Sequence, residues 1–153
     1  MTTEFQALCN SIGNEVARLL PEFLQVSEDF NIAQGNCALA IMNAAGESYG
    51  RLFGDFPPRQ RESAMVVWKK ANQVWLTGFA TGTFEKLAYA GQIDEEKYGL
   101  ARPEYIGWLG GLEARTASGE RLVVAFSGVR GEQDQGILRK AAENLKSFSI
   151  VDC

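Results

Sequence analysis

Two stretches of this chain each read as a strand, a tight turn and a second strand. In NCALAIMNAAGESYGRLF, β-leaning runs meet around Asn43-Ala44-Ala45-Gly46, where glycine supplies the positive φ that a tight hairpin requires. In GLEARTASGERLVVAFSG they meet around Ala117-Ser118-Gly119. Strands joined as hairpins, with helical patterns between them, predict an antiparallel α+β sheet rather than alternating parallel units. The 153 residues suit one domain over 1–153, long enough to bury about two-thirds of the unfolded surface in a single core.

The rest of the pattern is helical. Phe5, Leu8, Ile12, Val16, Leu19, Leu20, Phe23 and Leu24 recur every three or four residues, and Pro21 is expected to end or kink that helix. DFPPRQR breaks the sheet, and its second proline suits the first turn of the next helix, whose stripe is Ala64, Met65, Val67, Trp68, Ala71, Val74 and Trp75. TGFATGT interrupts the pattern before a shorter helix from Phe84 to Ala90, which Gly91 should terminate. QIDEEKYGLARPEY reads as a charged surface connection. A last helix should bury Ile137, Leu138, Ala141, Ala142, Leu145 and Phe148. The predicted order is helix, two strands, two helices, two or three strands, helix.

Composition removes several function classes. Lys plus Arg total 15 against 19 Asp plus Glu, a net charge of −4, which argues against a nucleic-acid partner. The opening MTTEFQALCNSIGNE lacks the basic flank and apolar core of a signal peptide, and no apolar run approaches the ~18 residues of a membrane span. No membrane partner is expected, and a cytosolic location is. Cys9, Cys37 and Cys153 form no metal spacing and read as buried free thiols. The chain contains no histidine, so Ser-His-Asp and Cys-His catalysis are excluded, along with the commonest metal ligand and haem axial ligand.

One junction carries most of the remaining signal. FSGVRGEQDQ sits where the strand LVVAF hands over to the last helix, and such a junction points free N–H groups and the helix dipole outward. Gly110-Gly111 before one strand and Ser127-Gly128 after the next bring bare backbone near a ligand, with Arg130 as a cation and Asp134 as an acceptor. The same residues also suit a sharp turn and an ordinary helix start. A second candidate is the basic cluster Arg59, Arg61, Lys69 and Lys70, which reads either as a solvated helix face or, through Arg59 and Lys69, as a site for an anion. Asp94, Glu95 and Glu96 lack a convergent partner for a metal, and Trp68, Trp75 and Trp108 serve either as core anchors or as a stacking surface.

Residues 36 to 146 resemble the GlcG/HbpS-like family, closest to an uncharacterised branch described as haem-degrading. The carriers are CALAIMNAAGESYGRLFG, the helical pair WKKANQVWLTGFATGTFEKLAYAG and the end GWLGGLEAR…LVVAFSGVRGEQDQ. A basic helix with Lys69 and Lys70, then Tyr98-Gly99-Leu100, Gly110-Gly111, Ser127-Gly128 and Asp134, follow in the family's order. The resemblance implies a profilin-like fold, a central antiparallel sheet of about five strands flanked by helices, and assembly into dimers or larger rings. It also implies a small ligand near the sheet edge, haem in some members. Where those members carry histidine, this chain has Trp108-Leu109 and Gln135, so histidine-ligated haem does not transfer. Haem of another kind would need Met65, Tyr98, Tyr105 or a cysteine, whose spacing points to no site. No cofactor is therefore expected. The leading expectation is an oligomeric binding or assembly module without catalysis, its small-molecule ligand unidentified and an anion one of the options. One alternative is an enzyme of haem or small-metabolite breakdown using Ser127, Asp134 or Tyr98 for proton transfer. The other is a structural interaction module.

Overall fold

The computed structural model describes residues 1–101 and 104–152. Thr2 caps α1 (Thr3–Phe23) by accepting from the Phe5 amide, and Pro21 lies in its last turn without ending it. A short α2 (Ser27–Ala33) occupies the polar stretch that the periodicity left unassigned. The first hairpin is β1 (Ala38–Asn43) and β2 (Ser48–Leu52), with Gly46 at φ 83. Helix α3 (Pro57–Thr77) starts on Pro57 and Pro58, since the first turn of a helix does not use those missing amides, and stops at Gly78 in the left-handed region. Then come α4 (Thr81–Tyr89), a short 3-10 turn (Glu95–Tyr98), the hairpin β3 (Gly111–Thr116) and β4 (Arg121–Ser127), α5 (Gly131–Leu145) and β5 (Phe148–Ile150).

All pairings in the five-stranded sheet are antiparallel, in the order β2-β1-β4-β3-β5. The expected α+β architecture is present. Strand alternation divides the core in two. Leu39, Ile41, Val124 and Phe126 face α1 and α5. Ala38, Ala40, Val123 and Ala125 face α3, where small side chains let the helix lie close above the sheet. The far end of α3 is tied down by polar contacts. Trp75 Nε1 donates to the Asn43 carbonyl at 3.0 Å. Arg121 Nη2 donates to the carbonyls of Val74 and Trp75 at 3.1 and 2.8 Å, supplying positive charge where the helix dipole is negative.

Three details correct the sequence reading. Phe148 is not on the last helix: Lys146 takes φ 59 and ends α5, and Phe148 enters the core from β5, pairing with Thr116. The connection after α4 is more than a surface loop, because Tyr98 and Tyr105 make edge contacts with the Phe84 ring at 5.9 and 5.4 Å and form a satellite core. Lys70 does not lie on a solvated face, because its side chain is 1% exposed. Cys9 and Cys37 are buried, whereas Cys153 lies outside the described residues.

Candidate functional site

Where β4 ends, its strand must leave the sheet and reverse into α5. Gly128 permits this with φ 135, and a Cβ there would stand 2.6 Å from Cys37 Sγ. The turn opens onto a cleft of about 770 Å³. Ile32 and Ala33 of α2 and Glu62, Ser63 and Val66 of α3 form one wall. Trp108 and Leu109 form the opposite wall, and Ser127 through Gly131 with Asp134 and Lys70 form the floor. Trp108 is 65% exposed, an indole held at the rim while its carbonyl accepts from Thr81 Oγ1 at 2.6 Å.

The floor is built around a buried ion pair. Lys70 reaches from α3 across the sheet face to donate to Asp134 Oδ2 at 2.9 Å and to the Phe126 carbonyl at 3.0 Å. Asp134 Oδ1 accepts from the Val129 amide at 3.0 Å, and the Gly128 amide also donates to this carboxyl. Burial pushes the Asp134 carboxyl up and the Lys70 amine down, and each partner's charge pulls the other back toward ionisation. Gly110 closes over the pair at φ 118; a Cβ there would lie 2.8 Å from Asp134 Cβ and 2.9 Å from Lys70 Nζ. Only glycine suits both that conformation and that approach.

A second ion pair stands at the rim. Arg130 Nε and Nη2 donate to Asp29 Oδ1 and Oδ2 at 2.8 and 3.0 Å, and the Arg130 amide donates to Oδ1 at 3.2 Å. The Arg130 guanidinium holds the Asp29 carboxyl below the usual carboxylate range. Glu28 adds a contact at 3.2 Å. The turn's amides at 128, 129 and 130 therefore receive carboxylates from the chain itself, and its cations are compensated.

The residues singled out by sequence fall into three places. Ser127, Gly128, Arg130 and Asp134 share the cleft. Gly110 and Gly111 lie behind the floor and line a separate, more polar cleft of about 400 Å³ with Thr81, Lys86 and Arg139. Arg59 pairs with Glu62 at 3.4 Å on the α3 surface, and Lys69 lines another groove beside Met65 and Trp68. Sequence reasoning put Lys70 in the basic cluster but carried Lys69 forward as the ligand residue, and it did not single out Asp29. A signal for Lys70 existed: Ser63, Val67, Lys70, Val74 and Thr77 form one buried stripe at helical spacing. Asp29 carried no such signal, because its partner lies 101 residues away.

No protein-family model matches the chain, and no curated protein matches its sequence. Solved structures do match. A crystal structure of a PduOC–haem complex superposes with TM-score 0.60 at 18% identity, over 92% of this chain and 94% of that one. HbpS superposes with TM-score 0.57 at 14% identity, over 89% and 87%. Klebsiella pneumoniae protein ORFY superposes with TM-score 0.63 at 17% identity, over 90% and 86%. This chain has the GlcG/HbpS-like fold. The likeness read from the sequence is thus carried by the whole architecture, with nearly complete coverage in both directions, at identities where few side chains are shared.

Proposed function

We propose that this chain is a small-molecule-binding module and that its site is the cleft at the β4–α5 turn. The observation that carries this reading is the pairing of apolar walls with a polar floor that is already assembled, the usual construction of a ligand site. The walls offer Ile32, Val66, Leu109 and the exposed indole of Trp108. On the floor, Ser127 contributes a hydroxyl-bearing side chain to the cleft lining. Because Asp134 and Asp29 already fill the turn's amides and balance Lys70 and Arg130, the cleft favours a flat, uncharged ligand over an anion. PduOC crystallised with haem, but the donors here do not suit axially ligated iron. Cys9 and Cys37 lie in the core with thiols pushed up to about 12 by burial, Tyr98 and Tyr105 pack on Phe84, and Met65 lines a different groove. Among the described residues no cluster of three His, Cys, Asp or Glu side chains gathers to hold a metal ion.

A thermal-shift screen of planar compounds, run beside haemin and aromatic acids, tests the reading. A neutral planar compound at ~100 times its Kd should stabilise the protein by about 2.7 kcal/mol. Trp108→Ala, on an exposed side chain, should weaken that ligand roughly tenfold. An unchanged affinity in Trp108→Ala and in Ser127→Ala would move the site elsewhere. Self-assembly is a second reading, favoured by Met65 and Leu76, which are 53% and 47% exposed on α3. Light scattering at micromolar concentration should then return a mass above one chain, and a monomer would end it.

A further inference from the structure

The binding reading leaves the floor's amine without a task. Lys70 Nζ has two protein acceptors, Asp134 Oδ2 and the Phe126 carbonyl, for three protons. A buried lysine–aspartate pair is seldom the most stable way to fill such a space, since apolar side chains of similar volume often do as well or better. The pair also lines the floor of a ligand-sized cleft, although its side chains are only 1% and 5% exposed. Burial favours the neutral amine, which is the nucleophilic form, and places beside it a carboxylate able to take a proton. Ser127 lines the same floor and supplies a hydroxyl for a carbonyl oxygen.

We propose that Lys70 captures carbonyl compounds: its amine condenses reversibly with an aldehyde or unhindered ketone held in the cleft, giving an imine. This rests on the cleft being a ligand site. Asp134 first takes one proton from the Lys70 ammonium. The freed nitrogen pair attacks the carbonyl carbon, and the carbonyl π pair moves to oxygen. A second nitrogen proton passes to that oxygen, forming a carbinolamine. Asp134 then returns its proton to the hydroxyl, which leaves as water while the nitrogen pair forms the C=N bond. The product is a protonated imine with one N–H beside an ionised Asp134, so charge is conserved and the buried pair persists. No electron is gained or lost overall.

The test uses the unmodified protein with benzaldehyde as a flat apolar probe, cyanoborohydride to fix any imine, and peptide mass mapping. Lys70 should carry the benzyl group with at least about tenfold the occupancy of Lys86, Lys97 and Lys140, because the cleft concentrates the probe at the amine. Asp134→Asn, checked for folding by circular dichroism, should label Lys70 at least about tenfold more slowly. Labelling confined to the other lysines, or spread evenly over all of them, overturns the inference. If a planar ligand raises the melting temperature while its aldehyde analogue leaves Lys70 unlabelled, the capture fails and the binding reading stands.

Discussion

Asp29 and Asp134 both accept from main-chain amides of the β4–α5 turn, and both are almost fully covered, yet their carboxyls shift in opposite directions. The partner explains the difference. Asp29 is covered by Arg130, whose side chain is 40% exposed and meets both carboxylate oxygens in a planar fork. Water still reaches the cation, so ionising Asp29 costs little and the hydrogen bonds dominate. Asp134 is covered by the sheet, by Gly110 and by an equally buried ammonium, so both charges lose their hydration together. The rim pair is a clasp that pins α2 to the turn. The floor pair is a costly arrangement kept beside a cleft.

That contrast predicts unequal responses to mutation. Asp134→Ala strands a buried ammonium and should cost about 3–5 kcal/mol of unfolding free energy. Adding Lys70→Met to Asp134→Leu removes both charges and should recover most of the loss. Asp29→Ala releases Arg130 to water and should cost only about 1.5–3 kcal/mol, the range for charge-assisted hydrogen bonds. Urea unfolding of the variants measures all three values. Equal costs for the two single substitutions, or no recovery in the double variant, would remove the distinction between clasp and floor.

The fold was legible because its signals are local. Turn glycines at 46 and 119, the continuous apolar runs of β1 and β4, and the stripes of α1, α3 and α5 each depend on residues within a few positions. The site was legible only in part for the converse reason. Ser127, Gly128, Arg130 and Asp134 are close in sequence and announce themselves together. Lys70 is 64 residues from Asp134, and adjacent Lys69 has the same chemistry. Helical phase alone separates the two, placing Lys70 between α3 and the sheet and Lys69 on a different groove. The three-residue strand β5 is shorter than any periodicity can reveal, and Lys146 in a left-handed conformation gives no glycine to mark the boundary before it.

The smallest effect is the sharpest test of the contrast, because the two carboxyls should respond to pH with opposite sign. Asp29 has a folded value below its unfolded one of about 3.9, so its contribution is complete above that value and is lost as pH falls through the folded one. The stability gap between the parent protein and Asp29→Asn should therefore narrow on acidification. Asp134 has a raised folded value, so its contribution is complete below about pH 3.9 and is lost as pH rises through the folded value. The gap to Asp134→Asn should accordingly narrow on moving from about pH 4 toward neutrality. Lys70 is shifted downward, and its own contribution rises with pH toward an unfolded value of about 10.4, so the comparison is best kept below about pH 8. Urea midpoints across this range measure both slopes, each unit of pKa difference being worth about 1.4 kcal/mol. Slopes of the same sign would mean that water reaches the floor as freely as the rim, and that the desolvation cost assigned to the Lys70–Asp134 pair does not exist.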